Sequence, residues 1–313
     1  MGENVNTWNE EQVIELLAQI FGSDDPRVII GIGDDAALVC GSTQQILTTD
    51  VAVEGTHFRS EWSSPYEIGK RIASANIADV LSMNGRCDYL LVAATLTGSE
   101  SIDWIRDLAQ GIADEATSVG AVVVGGDLAK SPTLSIAITA VGHTDRVITR
   151  AGAKVGDSIY LSSLTGWSAA GLEILQKNLH ISGAHVATAL NEYRAPTLDL
   201  QMDFSRATSM CDVSDALVIQ GAQMAKASGA HFAIDGDLIA QAPEFAKLSE
   251  LAQQVGTDIW GWILQGGEDH VLMATGNSLP GIRIGAVVEG SGISASYMGE
   301  KIEMAPVAWS HFS

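Results

Sequence analysis

Along this chain, segments of helical period alternate with segments of strand period, and the one place where the alternation breaks constrains the fold most. The apolar run from Ala121 to Val124 is followed by a second, Leu134 to Val141, with only the breaker Lys130-Ser131-Pro132 between them and no helix. A parallel pair needs a long crossover, usually helical, so two neighbouring strands without one argue against a purely parallel sheet. The chain is therefore expected to be α/β of the mixed α+β kind, with mixed sheets rather than a clean doubly wound one.

The other elements announce themselves by period and by end signals. Thr7-Trp8-Asn9-Glu10 has capping-box spacing before an apolar stripe of Val13, Ile14, Leu16, Leu17 and Ile20, stopped at Gly22. Ser64-Pro65-Tyr66-Glu67 repeats the capping box, with proline at the first helical position, and its helix should run to about Asn84-Gly85. A third helix carries Ile102, Ile105, Leu108, Ile112 and Ala116. Strands are expected at 27–30, 45–49, 89–96, 121–124 and 134–141. The turn-rich segment from Arg150 to Asp157 reads as a link, dividing an N-terminal domain, 1–149, from a C-terminal α/β domain, 150–313. In the second domain a strand is expected near Ile159, helices from about Trp167 and Leu217, and strands near Phe232, Val271 and Ile284.

Charge narrows the function classes. Thirty-eight acidic residues against 17 basic give a formal net charge of −21 in 313 residues, with no Lys/Arg run to offset it. Such a chain repels the phosphate backbone of nucleic acid, so no nucleic-acid partner is expected, and no membrane partner either. No apolar run approaches the roughly 18 residues that span a bilayer, and the N-terminus is polar and acidic rather than a signal peptide. Cys40, Cys87 and Cys211 are too widely spaced for a C-x-x-C pair or a disulfide framework. A reduced, cytoplasmic chain is the expectation.

The acidic residues gather beside glycine, serine and threonine at the ends of apolar segments. The clearest cases are Gly31-Ile32-Gly33-Asp34-Asp35, Thr48-Thr49-Asp50, Gly125-Gly126-Asp127 and Asp212-Val213-Ser214-Asp215. Asp79 lies inside a helix among Ile77, Ala78, Val80 and Leu81, where a carboxylate needs a partner, a metal or a proton. Singly, such Gly-Asp sequences close turns or cap helices. Converging, they would make a site for hard divalent cations with oxygen ligands. There is no G-x-x-x-x-G-K-[ST] sequence, so a phosphate ligand would be held by metal bridges and a few basic groups. Magnesium suits that role, because it keeps waters and joins one or two carboxylates to phosphate oxygens.

Seven short motifs, in this order, resemble the thiamine-monophosphate kinase family of the aminoimidazole-ribonucleotide synthetase superfamily. They are Gly31-Ile32-Gly33-Asp34-Asp35-Ala36-Ala37, Thr48-Thr49-Asp50, Glu54-Gly55-Thr56-His57-Phe58, Gly125-Gly126-Asp127, Thr149-Arg150-Ala151-Gly152-Ala153, Asp212-Val213-Ser214-Asp215 and Gly266-Gly267-Glu268-Asp269, with Trp309-Ser310-His311-Phe312 closing the chain. The resemblance implies a two-domain aminoimidazole-ribonucleotide synthetase-like fold and a homodimer formed through the N-terminal domains. It implies ATP-dependent phosphorylation of thiamine monophosphate to thiamine diphosphate, with several magnesium ions. Matched motif by motif, the metal positions are Asp35, Thr48, Thr49, Asp50, Asp79, Asp127, Asp212 and Asp215. The ATP positions are Gly126, Asp127, Arg150 and Ser214, and the thiamine-phosphate positions are His57, Glu268 and Trp309. Where the family has a glycine after serine-aspartate this chain has Ala216, where it has a tyrosine after the last Glu-Asp this chain has His270, and Ala109 stands where an aromatic is often found. The other readings are a sister ATP-using enzyme of the superfamily and a non-catalytic acidic metal-binding protein. The latter lacks the D-x-[DN]-x-[DN]-G calcium loop and gives no reason for Arg150.

Overall fold

The computed structural model describes residues 8, 10–32, 36–42 and 44–304. They form two compact units, Met1–Leu81 with Gly85–Asp145, and Ser82–Asn84 with Arg146–Ser313. The division falls just ahead of the turn-rich segment 150–157.

The first unit runs α1 (Glu10–Phe21), β1 (Val28–Ile30), β2 (Leu38–Val39), β3 (Gln45–Val53), α2 (Pro65–Ser82), β4 (Arg86–Leu96), α3 (Ile102–Ser118), β5 (Val122–Lys130) and β6 (Ser135–His143). Its main sheet has the order β3-β6-β4-β5. β6 is antiparallel to both neighbours and β4 is parallel to β5, so the sheet is mixed. The break in alternation finds its answer here, because β6 does not pair with the strand before it but enters between β3 and β4. The Ser64 capping box forms: Ser64 N donates to Glu67 Oε2 at 2.7 Å and Glu67 N donates to Ser64 Oγ at 3.3 Å. The Thr7 box lies outside the described residues. α2 buries Ile68, Ile72, Ala73, Ile77, Ala78 and Val80. α2 and α3 meet backbone to backbone, since a side chain on Gly69 would stand 2.2 Å from Leu108 O, and one on Gly111 2.1 Å from Tyr66 O.

Two motifs expected to be turns are instead strand interiors. Thr48-Thr49-Asp50 lies within β3, and Gly125-Gly126-Asp127 lies within β5. The glycine pair does not end β5 because β4 continues to pair with it as far as Lys130, past an irregularity at Val124 where the register shifts by one residue.

The second unit runs β7 (Ser158–Leu161), α4 (Trp167–Gln176), α5 (Ala184–Arg194), β8 (Ser209–Val213), α6 (Leu217–Ser228), β9 (His231–Asp235), α7 (Gly236–Ile239), α8 (Pro243–Val255), α9 (Ile259–Gln265), β10 (Val271–Gly276), β11 (Ile282–Val288), β12 (Gly292–Tyr297) and β13 (Glu300–Lys301). The sheet order is β13-β12-β9-β11-β7-β10-β8, with β12 and β9 parallel and the other pairs antiparallel. Its core joins Ile159 and Leu161 of β7, Val213 of β8, Leu217 and Met224 of α6, Phe232 of β9 and Ile284 of β11. Among the described residues no helix is long and apolar enough to cross a membrane.

Candidate active site

In the first unit the site residues stand on β3, α2 and β5. Side chains alternate along a strand, so β3 presents Ile46, Thr48 and Asp50 to one face of the sheet and Leu47, Thr49 and Val51 to the other. The first face belongs to α2. Thr48 Oγ1 donates to Asp79 Oδ2 at 2.6 Å, which is the partner that a carboxylate in apolar company requires. Asn76, fully buried on the same helix, accepts from Asp50 N at 3.0 Å and donates to Ile72 O at 2.9 Å. Asn76 thus ties the free edge of β3 to α2 at the position of Asp50. On the opposite face Thr49 Oγ1 donates to Ile138 O and accepts from Thr139 Oγ1.

His57 follows β3 in a tight turn whose amides return to Val53 O. Its Nδ1 accepts from Val53 N at 3.1 Å, so the neutral ring carries its hydrogen on Nε2, a donor suited to a phosphate oxygen.

Asp127 is exposed on β5, the far edge of the sheet. Its register partner on β4 is Ala93, which pairs with Ala137 of β6, which pairs with Val51 of β3. Asp127 therefore shares the open face with Thr49 and not the face of Thr48 and Asp50. Three strand spacings, about 14 Å, separate β5 from β3. Gly126 is required where it stands: a side chain there would lie 1.8 Å from Val92 O, against 3.3 Å from a Leu91 methyl for Gly125. A cavity of about 1260 Å³ runs along Gly125, Gly126 and Asp127, with Ala109 of α3 and Phe21 of α1 in its walls.

In the second unit two loops distant in sequence lock together. Asp212 and Val213 end β8, and Ser214-Asp215 follow before α6. Glu268 N donates to Ser214 O at 2.6 Å and His270 N donates to Val213 O at 3.0 Å. Gly267 lets the loops touch, since a side chain there would meet Asp215 O at 2.2 Å. Gln220 on α6 accepts from Ala216 N and donates to Ser214 Oγ at 3.4 Å and Asp215 Oδ2 at 3.3 Å, which steadies the turn. Ala216 has extended backbone, φ −172°, so alanine serves there without strain. Arg150 reaches Gln223 Oε1 through Nη1 at 2.9 Å.

His270 is the residue that sequence reasoning missed. It is buried, with Nδ1 3.5 Å from Asp212 Oδ2 and Nε2 3.6 Å from Glu268 Oε2, ion-pair distances rather than hydrogen bonds. Burial disfavours its charged form, but the two carboxylates outweigh burial and lift its pKa to about 10. The ring is thus an internal cation between an expected metal position and an expected substrate position. Asp269 faces the other way. Its carboxylate accepts from Gly166 N at 2.8 Å and Ser168 N at 3.0 Å, capping α4, and burial raises its pKa to about 7 against these amides.

Asp35 and Trp309 lie outside the described residues. The structure groups Thr48, Asp50 and Asp79, and it groups Asp212, Ser214, Asp215 and Glu268. It keeps Asp127 on the far strand from the first group. Among the described residues no three His, Cys, Asp or Glu side chains gather closely enough to hold a metal by themselves. Magnesium asks for less, one or two carboxylates completed by waters and phosphate oxygens, and the hydroxyl–carboxylate pair of Thr48 and Asp79 is a hard oxygen donor set of that kind.

Residues 33–144 match the family described as AIR synthase related protein, N-terminal domain. The chain is 33% identical over 305 residues to a thiamine-monophosphate kinase of Corynebacterium glutamicum, covering 92% of this chain and 88% of that one. It is 30% identical over 305 residues to a thiamine-monophosphate kinase of Archaeoglobus fulgidus, covering 97% and 98%. A solved structure of AaThiL complexed with AMPPCP and TMP superposes with a TM-score of 0.77 at 28% identity, covering 98% of both chains.

Proposed function

The chain belongs to the thiamine-monophosphate kinase family, and from that membership we propose that it transfers the γ-phosphoryl group of ATP to thiamine monophosphate, giving thiamine diphosphate and ADP. The observation that carries this reading is the locking of the two loops in the second unit. It sets Ser214, the expected nucleotide residue, against Glu268, the expected acceptor residue, through a 2.6 Å backbone hydrogen bond. A phosphoryl transferase needs that juxtaposition of donor and acceptor sites.

The chemistry asks little covalent help of the protein. The nucleophile is a phosphate oxygen, already ionised at neutral pH, so no strong general base is required. What must be overcome is repulsion: two like unit charges 4 Å apart cost about 4 kcal/mol at an effective dielectric of 20. Arg150, held by Gln223, supplies a fixed cation on the nucleotide side. His270 offsets the charge of Asp212 and Glu268 from within, which lets two carboxylates stand together in a chain of net charge −21. By the resemblance, Gly126 and Asp127 are further nucleotide residues, and His57 and Trp309 are further acceptor residues. Magnesium fits the donors of each unit taken by itself: Thr48, Asp50 and Asp79 in the first and Asp212 and Asp215 in the second would hold ions there, and the resemblance adds Asp35, Thr49 and Asp127. When bound it would supply positive charge to offset that of the phosphates.

A homodimer belongs to the same proposal. The open face of the first unit's sheet exposes Leu47 (66%), Val51 (54%) and Leu91 (39%), an apolar surface that a second copy would cover. The strand order supports this as well. Asp127 lies about 14 Å from β3 within one chain, too far to share an ion with Asp50. A partner whose β3 edge lies against this chain's β5 would bring the two together.

The reading is tested by mixing the protein with ATP, magnesium and thiamine monophosphate, with free thiamine as a parallel acceptor. Thiamine diphosphate and ADP are expected from the monophosphate, essentially no product from thiamine, and none from either after chelation. Equal turnover of free thiamine would overturn the mechanism, and silence with the monophosphate would overturn the function.

A further inference from the structure

β4 carries one residue too many where it faces β6. Cys87 pairs with Gly142 and Tyr89 with Val141, so Asp88 between them has no place in the ladder. In a regular strand neighbouring side chains point to opposite faces, and a bulge suspends that rule. Asp88 and Tyr89 accordingly reach the same element, the segment 27–40 that forms the ribbon of β1 and β2, and they take its two ends. Arg27 Nη1 donates to Asp88 Oδ1 at 3.0 Å, and Tyr89 Oη donates to Cys40 O at 2.6 Å. The ends are also joined to each other, since Cys40 N donates to Arg27 O at 2.8 Å. Both anchors are themselves held. The second oxygen of Asp88 accepts from His143 Nδ1 at 2.6 Å. The guanidinium of Arg27 also bonds Asp25 and, through Nη2, Gly120 O at 2.8 Å, and it lies 5.7 Å from the centre of the Tyr89 ring.

The core does not hold the ribbon. None of the described residues from 28 to 40 is buried, β1 and β2 share two residue pairs, and they form a sheet of their own. A two-stranded ribbon by itself is marginal in water, so its place is set chiefly by the anchors at Asp88 and Tyr89. Yet it bounds the cavity of about 1260 Å³: Gly31, Ile32, Ala37 and Val39 line that space together with Gly126 and Asp127. We propose that Asp88 and Tyr89 are positioning residues for nucleotide binding, turned by the bulge toward the ribbon and fixing it as one wall of the cavity. The choice of nucleotide rests on the proposed function, whereas the anchoring of the ribbon at the bulge comes from the contacts themselves.

The test joins amide hydrogen exchange to calorimetric titration of the full chain with AMPPCP and magnesium, for wild type, Asp88→Ala, Asp88→Asn and Tyr89→Phe, beside steady-state kinetics. Asp88→Asn keeps an oxygen for Arg27 and loses the charge, and Tyr89→Phe keeps the buried ring and loses the hydroxyl. Unchanged exchange in α2 and α3 reports that a variant is folded. Exchange at 28–32 and 36–40 should quicken on the order of tenfold in Asp88→Ala, where a charge-assisted bond is lost, and about threefold to fivefold in Tyr89→Phe, where a neutral one is lost. Asp88→Asn should fall between Asp88→Ala and wild type. AMPPCP affinity should drop, and KM for ATP rise, in the same order, with KM for thiamine monophosphate unchanged. Exchange at the ribbon equal to wild type in all three variants overturns the anchoring. Faster exchange with unchanged AMPPCP affinity overturns the positioning role and leaves a merely structural one. Either result, with wild type still converting thiamine monophosphate, leaves the kinase reading standing. Wild type that binds no AMPPCP removes that reading, and the inference with it.

Discussion

Adjacent glycines in β5 should behave in opposite ways when a single methyl is added. In Gly126→Ala the new carbon starts 1.8 Å from the carbonyl oxygen of Val92, on backbone that cannot rotate aside. Reaching van der Waals contact requires roughly 1.5 Å of separation between β4 and β5, enough to break the ladder on both sides of the substitution. Two or three lost ladder bonds at about 1 kcal/mol each, with overpacking of about 1–3 kcal/mol, put the loss at about 3–6 kcal/mol. At about 3 °C per kcal/mol for a unit of this size, the unfolding midpoint of the first unit should fall by about 10 °C or more. In Gly125→Ala the nearest atom is a leucine methyl at 3.3 Å, the end of a side chain that can turn away. That variant should lie within about 0.5 kcal/mol of wild type, because the alanine also restricts the unfolded chain. Thermal unfolding followed by circular dichroism, without metal or nucleotide, compares the two. If Gly126→Ala is no less stable than Gly125→Ala, the close approach of β4 and β5 at this point is wrong, and with it the placement of Asp127.

Other perturbations report on the site and the assembly. Asp50→Asn and Asp127→Asn should each abolish transfer, yet a mixture of the two should recover about a quarter of wild-type activity, since half of the dimers are mixed and each keeps one intact site. A mixture that stays inactive would place both residues in one chain's site. Light scattering should give a dimer mass for wild type, and Leu47→Lys with Leu91→Lys should give a monomer, because two charges would enter the exposed apolar face. Burial lifts Asp269 to about 7 from its ordinary 3.8 against the amides of Gly166 and Ser168, so the folded state holds a proton that the unfolded chain has released between those values. The stability this gives is complete below pH 4 and is lost as pH rises to 7, up to about 4 kcal/mol. Denaturant midpoints of wild type relative to Asp269→Asn should therefore decline from pH 4.5 to pH 8, and a constant difference would refute the shift.

The carboxylate motifs were legible because glycine, serine and threonine beside aspartate are rare inside an ordinary core, and so were the three helices of the first unit, where period and caps agree. Strand extents were less legible. Gly125-Gly126-Asp127 has the composition of a turn, and what keeps it in a strand is pairing with β4 across the irregularity at Val124, a tertiary fact with no local signal. α9 was invisible for a different reason: Ile259–Gln265 is a short apolar run, ambiguous between helix and strand by period alone. α5 buries only Val186, Ala189 and Tyr193, too few to print a stripe. His270 read as no more than a departure from a tyrosine, because the carboxylate of Asp212 reaches it only when β8 and the loop before β10 are laid side by side. Asn76 shows the same limit, an amide inside an apolar helix whose purpose appears only when β3 brings Asp50 to it.

β3 writes two messages on alternate letters. One reading frame spells Thr48 and Asp50 against α2, and the other spells Leu47 and Val51 on the open face; only the pairing of Thr48 with Ala140 and Thr49 with Thr139 says which is which. A slip of one residue would transpose them, pressing the aliphatic side chains against α2 and turning the threonine and aspartate outward. A deletion in the short connection ahead of β3 could not silence one message and spare the other. The proposed catalysis and the proposed self-association would thus be inherited as a single character, gained or lost by the phase of one strand.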